Sequence, residues 1–233
     1  MFIKPISFKV NEDIIDGAIL SKDGQDAPPN FIFLHGGAGN KERIYDVIPP
    51  LVNDGTNVLA MDFSGHGKST GDLKKSSLKK RCEEARKAIE DFAATDKLIV
   101  CGASMGGYIA IKMLEYFQVE TLILFCPALY DKKAYNLRFD DGFTEAIRIP
   151  ESWRNTDALD LLKTFTGNLL IIMGDQDEII PGEVIPLIME HAFKADRREL
   201  YTLPGCHHKI FSWIKEHDDD LLKLQAKLQD YVL

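Results

Sequence analysis

The sequence predicts an α/β fold: a mostly parallel, eight-stranded sheet with helices on both faces. Three observations carry this. Short apolar runs recur from Ile6 to Leu203. From the third onward most are continuous rather than alternating, as suits strands buried on both faces. Helical stretches separate them, giving the alternation of βαβ units. The 233 residues are enough for one large core, and the chain is expected to fold as a single domain over 1–233.

The strand-like runs are Ile6–Val10, Ile14–Leu20, Phe31–Leu34, Val58–Met61, Leu98–Cys101, Leu122–Cys126, Leu169–Met173 and Leu200–Leu203. The first two read as an edge hairpin. Ser77–Ala94 follows a serine-rich stretch and carries Cys82, Ala85, Ala88, Ile89 and Phe92 at helical spacing. Met105–Phe117 is apolar nearly all round and reads as a buried helix. Gly182–Ala195 is a third helix, and His208–Trp213 and Leu221–Leu228 close the chain. The segment 127–167, after the sixth strand, breaks the rhythm. It is polar, with scattered aromatics (Tyr130, Tyr135, Phe139, Phe143, Trp153). It reads either as a small cap whose aromatics line a pocket or as a surface excursion with one helix near Asp157–Phe165.

Composition narrows the function classes. Lys and Arg number 28 against 36 Asp and Glu, a formal charge of −8, which repels nucleic acid and anionic membrane surfaces. The basic clusters Lys74-Lys75 and Lys79-Lys80-Arg81 read as a solvated helix face. No apolar run is long enough to cross a bilayer, so no stable membrane insertion is expected. The start of the chain lacks an apolar leader segment, giving the expectation of a cytoplasmic location. Cys82, Cys101, Cys126 and Cys206 form no Cys-x-x-Cys pair. Cys101 and Cys126 lie inside apolar runs and read as small buried hydrophobes, and nothing suggests a disulfide framework or a metal site.

Four motifs carry chemistry. Gly102-Ala103-Ser104-Met105-Gly106-Gly107 lies between a strand and a helix, the context a nucleophile elbow needs. The turn is so tight that small residues must flank Ser104, which is held at the sheet edge. Phe31-Ile32-Phe33-Leu34-His35-Gly36-Gly37 ends a strand in a glycine turn. Acyl transfer requires backbone N–H groups aimed at a developing oxyanion, and the candidate donors are Gly37 and Met105. His35 reads as a structural hydrogen-bonder. Gly174-Asp175-Gln176-Asp177-Glu178 follows a strand and offers two carboxylates. Asp177 is preferred as the acid, while Asp175 suits an acidic turn. Leu203-Pro204-Gly205-Cys206-His207-His208 offers two bases. His208, three after Gly205, is preferred over His207. His66, His191 and His217 have no comparable context and read as surface or structural. A decoy, Gly67-Lys68-Ser69-Thr70, looks like the end of a phosphate-binding loop. The glycine that such a loop needs five residues earlier is Asp62.

Ser104, Asp177 and His208 follow the order serine, acid, histidine. Together with Met61-Asp62-Phe63-Ser64-Gly65-His66-Gly67-Lys68-Ser69-Thr70-Gly71 and His35-Gly36-Gly37, the chain resembles the α/β hydrolases. Within them it is similar to the monoglyceride lipase, feruloyl esterase and serine aminopeptidase-like branch, over most of the chain from Phe31 onward. The 127–167 segment is shorter than the lid of monoglyceride lipases. The resemblance implies a serine hydrolase with no cofactor and no metal, acting on a small or medium ester of a small-molecule substrate. The alternatives are a thioesterase or an amidase or peptidase of the same fold, or a non-catalytic binding protein built on it.

Overall fold

The computed structural model describes residues 1–24, 27–53 and 55–232. Eight strands form one sheet in the order β1-β2-β4-β3-β5-β6-β7-β8. β1 (Phe2–Val10) and β2 (Asp13–Ser21) are the expected edge hairpin, antiparallel from Phe2 opposite Ser21 to Val10 opposite Asp13. β2 pairs antiparallel with β4 (Val58–Met61). β4 and the remaining strands, β3 (Phe31–Leu34), β5 (Leu98–Ala103), β6 (Val119–Phe125), β7 (Asn168–Gly174) and β8 (Arg197–Leu203), run parallel. β3, β4 and β5 are buried at every residue, which is why their sequences read as unbroken apolar runs.

β8 is longer than its apolar stretch. It is an edge strand with every second side chain exposed up to Thr202, so Arg197, Arg198 and Glu199 pair within it without marking it as apolar. The helices are α1 (Leu78–Phe92), α2 (Met105–Lys112), α3 (Phe143–Ile147), α4 (Ala158–Leu162), α5 (Val184–His191), α6 (Ile210–Trp213) and α7 (Asp218–Val232). α1 starts at Ser77, whose side chain accepts the Lys80 N–H, a standard way to satisfy a free helix-start donor. No helix among the described residues is long and apolar enough to cross a membrane.

The segment 127–167 contributes α3, α4 and two 3-10 turns. It is pinned to the approach and start of α1: Phe139 N–H donates to Ser76 O at 2.9 Å and Lys79 N–H to Tyr135 O at 3.0 Å. Its other end is tied to α2 by Lys112 Nζ, 2.9 Å from Asp157 Oδ2. Tyr130 packs edge-on to Tyr108, and Phe139 to Phe143.

The parallel strands deliver their loops to one edge of the sheet, where ligand sites of this architecture form. At the end of β5 the chain turns directly into α2. Ser104, at the turn, has φ 52° and ψ −115°, a region costly for any residue but glycine. The turn closes because neighbouring residues lack side chains. A Cβ on Gly102 would stand 2.2 Å from Gly106 O, and one on Gly106 would stand 2.1 Å from Leu34 O.

A second constraint fixes the loop after β4. Lys41 Nζ lies 2.7 Å from Asp62 Oδ2 and 2.5 Å from Asp16 Oδ2, with Lys41 and Asp62 nearly inaccessible to water. Asp62 also accepts the Lys41 N–H at 2.7 Å. Burial pushes the Asp62 carboxyl up, but these hydrogen bonds outweigh it and hold the group below 3.8. Burial pushes Lys41 down, and its two carboxylate partners raise it above 10.5.

Two stability outcomes are expected. Glycine relieves the backbone strain at position 104 and alanine does not, so Ser104→Gly should unfold at higher urea than Ser104→Ala, by about 1 kcal/mol. Lys41→Met strands two carboxylates and should cost about 3 kcal/mol at neutral pH. Asp62, held below 3.8, contributes above that pH and loses its contribution as pH falls through its folded value. Lys41, held above 10.5, contributes below that pH and loses its contribution as pH rises through its folded value. The gap in urea midpoint between wild type and Lys41→Met should therefore narrow from pH 6 toward pH 3. A constant gap would contradict the pairing energy.

Candidate active site

Ser104, His208 and Asp177 come from three loops at the carboxyl edge of the sheet, after β5, β8 and β7. His208 Nε2 lies 3.1 Å from Ser104 Oγ, and His208 Nδ1 lies 2.8 Å from Asp177 Oδ2. A carboxylate only accepts, so Nδ1 carries the proton toward Asp177 and Nε2 presents a lone pair to the serine hydroxyl. The Asp177 side chain is inaccessible to water and that of His208 is 18% exposed. Burial pushes Asp177 up, but hydrogen bonds from His208, from the Ile180 and Ile179 N–H groups and from the Cys126 thiol hold it below its ordinary value.

The other two candidates stand elsewhere. His207 is exposed, its Nδ1 3.1 Å from Gln176 O and 3.2 Å from Glu178 Oε2. Asp175 Oδ1 accepts the Gly205 N–H at 2.7 Å. With Gln176 N–H donating to Cys206 O at 3.0 Å and Asp175 N–H to Leu203 O at 3.2 Å, it stitches the acid loop to the histidine loop. A Cβ on Gly174 would meet Cys206 O at 2.0 Å. This close seam sets the separation of Asp177 and His208.

The glycine turn after β3 lies against the elbow. A Cβ on Gly36 would be 3.2 Å from Ser104 Cβ, and one on Gly37 would be 3.7 Å from Met105 Cε. Met105 opens α2, where an N–H has no intrahelical acceptor. His35 is buried; its Nδ1–H donates to Gly36 O at 2.7 Å and its Nε2 accepts the Phe63 N–H at 3.0 Å. Burial drives its pKa down to about 3, so it braces the turn as a neutral ring. His66 is also buried, with Nε2 2.8 Å from Gly37 O.

Arg81 corrects the reading of Lys79-Lys80-Arg81 as a solvated face, because its side chain is fully buried. Its Nη1 donates to Met105 Sδ at 3.1 Å, and its Nη2 lies 3.4 Å from His66 Nε2. The guanidinium sits 5.0 Å from the ring centres of both Phe63 and Phe139. Nε has no hydrogen-bond partner among the described residues, and no carboxylate among them forms an ion pair with the group. Burial lowers its pKa to about 10, which leaves it charged at neutral pH. Leu78, Arg81, Cys82 and Ala85 share one helix face, so the helical period alone places Arg81 inward. Treating it as part of a charge run hid that.

Beside Ser104 lies a cleft of about 360 Å³. Phe33, Phe125 and Phe211 form its apolar floor, with Phe211 5.0 Å from Phe125 and 5.8 Å from Phe33 between ring centres. Among the described residues, none from 127–167 lines it. Phe139 packs on Arg81, Tyr130 on Tyr108, Tyr135 against Lys112 and Trp153 against Arg154 instead. Cys126, buried at φ 42°, also lines the cleft. Its sulfur and donor atoms of Asp177 and His208 lie within 4.8 Å of one another. That is the one such group of potential metal ligands among the described residues, and it coincides with the site itself. Burial pushes the Cys126 thiol far up, so it stands here as a neutral donor to Asp177.

Three solved structures illustrate the likeness of fold. Est1E from Butyrivibrio proteoclasticus, solved with ferulic acid bound, is 22% identical over 94% of this chain and 99% of that one, with a TM-score of 0.69. The esterase Pf2001 of Pyrococcus furiosus is 20% identical over 100% and 93%, with a TM-score of 0.68. The thioesterase domain of the curacin biosynthetic pathway is 15% identical over 96% and 100%, with a TM-score of 0.68. The family model described as serine aminopeptidase, S33, matches residues 26–150, spanning the glycine turn, the Asp62 loop and the elbow. The chain thus belongs to the serine aminopeptidase S33 family, and it is an α/β hydrolase.

Proposed function

We propose that the protein cleaves carboxylic esters of small or medium acyl groups through an acyl-enzyme. Ser104 is the nucleophile, His208 the base and Asp177 the acid. The observation that supports this is the unbroken chain of contacts from Asp177 through His208 to Ser104 at the wall of a cleft with an apolar floor. A cleft of this volume falls in the range of small-molecule sites. The named esterases among the similar folds agree with an ester substrate. The thioesterase domain keeps a thioester as the second choice, served by the same groups.

In this reading Ser104 Oγ attacks the acyl carbonyl while its proton passes to His208 Nε2. The tetrahedral oxyanion is held by the Met105 and Gly37 N–H groups. Collapse expels the alcohol, which takes the proton back from His208. Water then attacks the acyl-enzyme by the same route and frees the acid and Ser104. Asp177 keeps the proton on Nδ1 and steadies the imidazolium.

Arg81 fits this chemistry as a positioning residue. An unpaired buried cation is costly to the fold, yet this one contacts Met105 directly and Gly37 through His66. Its fixed charge favours the negative charge that develops between those two donors.

A fluorophosphonate probe should label wild type and not Ser104→Ala, and hydrolysis of p-nitrophenyl esters should fall off beyond about ten acyl carbons. A folded protein with neither labelling nor hydrolysis would refute the enzyme reading. Asp177→Asn should lower kcat by roughly 10³- to 10⁴-fold, because an amide N–H then faces Nδ1–H. Arg81→Met should leave thermal stability equal or higher while lowering kcat about tenfold with little change in KM. A loss of stability with unchanged kcat would assign Arg81 to packing alone.

A further inference from the structure

The charged side chains at the cleft beside Ser104 are of one sign. Arg43 and Lys209 line it, both exposed, and no Asp or Glu lines it among the described residues. They arrive from opposite sides. Arg43 lies in the 3-10 turn Lys41–Ile44 that follows β3, and Lys209 follows His208 on the loop after β8. In the sheet, β3 flanks β5 on one side, and β8 lies beyond β6 and β7 on the other. The nucleophile at the end of β5 is thus bracketed by cations.

Neither cation has a carboxylate partner among the described residues. Several basic side chains elsewhere are matched: Lys41 with Asp16 and Asp62, Lys112 with Asp157, Arg197 with Asp230, Lys215 with Asp46. The chain as a whole carries a formal charge of −8, so its mean field repels anions. Two exposed cations with no acid beside them in the cleft lining favour an anion locally against that mean field. Asp177, the nearest acid to the reacting groups, is inaccessible to water and is already engaged by His208.

We infer that the physiological substrate is an anionic ester or thioester: an apolar acyl part lies on Phe33, Phe125 and Phe211, and a carboxylate or phosphate close to the scissile bond is met by Arg43 and Lys209. This rests on the serine-hydrolase reading above and narrows it to a substrate class. Lys209 is adjacent to the base that must return a proton to the leaving group, and Arg43 is on the side of the glycine turn. The two positions allow the anion to be carried by the leaving group or by the acyl chain.

The test is a ratio of kcat/KM values between matched substrates. p-Nitrophenyl butyrate is the neutral reference. Mono-p-nitrophenyl glutarate puts a carboxylate on the acyl side, and 3-carboxy-4-nitrophenyl butyrate puts one on the leaving group. Butyryl phosphopantetheine against butyryl pantetheine tests a phosphate. At low salt at least one anionic arm should exceed its neutral partner roughly four- to twenty-five-fold, from about two- to fivefold per exposed cation. That ratio should shrink in 0.5 M NaCl. It should approach one in the double variant Arg43→Ala, Lys209→Ala and invert in Arg43→Glu, Lys209→Glu. The arm that responds identifies which part of the substrate bears the charge. Efficient hydrolysis of the neutral ester with no anionic arm preferred, or a preference unchanged in the double variants, would overturn this proposal alone. Absence of fluorophosphonate labelling and of all hydrolysis would overturn it together with the reading on which it rests.

Discussion

Where β5 runs into α2, the available volume is smaller than a methyl group on either side of the serine. Gly102 packs against the carbonyl of Gly106, and Gly106 against that of Leu34, at distances that exclude a Cβ. The backbone at Ser104 absorbs the consequence by adopting a positive φ. Its N–H is held by Phe125 O at 2.8 Å, which ties the turn to the neighbouring strand and fixes the direction of Oγ. The placement of the glycine turn after β3, the opening of α2 and the cleft floor all depend on that close approach. Rigid parallel strands supply the positions, and short loops supply the chemistry.

Two buried cations show how differently the same cost can be met. Lys41 is surrounded by two carboxylates that fix the loop after β4 to the strands, and its charge is fully answered within the fold. Arg81 is equally buried but has no carboxylate in ion-pair contact among the described residues; its direct contacts are two aromatic faces, a thioether and an imidazole, and the buried Glu84 favours its charge from farther off. The first arrangement favours the folded state. The second leaves a positive potential beside the elbow, in a region of low dielectric where such a potential acts strongly.

Much of this architecture could be read from the chain. β3, β4, β5 and β7 are fully or nearly enclosed, so their side chains had to be apolar on both faces and their runs are unbroken. Ser104, Asp177 and His208 each follow a strand at short distance, so the motifs carried their own location. What escaped lies where one pattern overlays another. β8 reads short because an exposed edge lets charged residues alternate with apolar ones. Arg81 was hidden in a run of basic residues although its helical position points inward. The choice between His207 and His208 depends on the seam between two loops, in which Asp175, Gly174 and Cys206 meet. No single motif encodes that contact. The aromatics of 127–167 left a cap over a pocket and a surface excursion both open, and the structure sets Phe139 on Arg81, Tyr130 on Tyr108 and Tyr135 against Lys112, because the segment is pinned to α1 and α2.

The short helix α6 joins the cleft to a part of the molecule not otherwise involved in it. Phe211 faces the cleft floor, and Trp213, at the other end of the same turn, lies flat on His217 with ring centres 3.6 Å apart and planes within 6°. Its indole N–H is anchored to Asp220 at 2.8 Å. The wall of the cleft that carries Phe211 is thus held from outside the cleft, by a ring stack and a hydrogen bond made by the same short helix, so the shape a substrate meets depends on side chains that do not line its site.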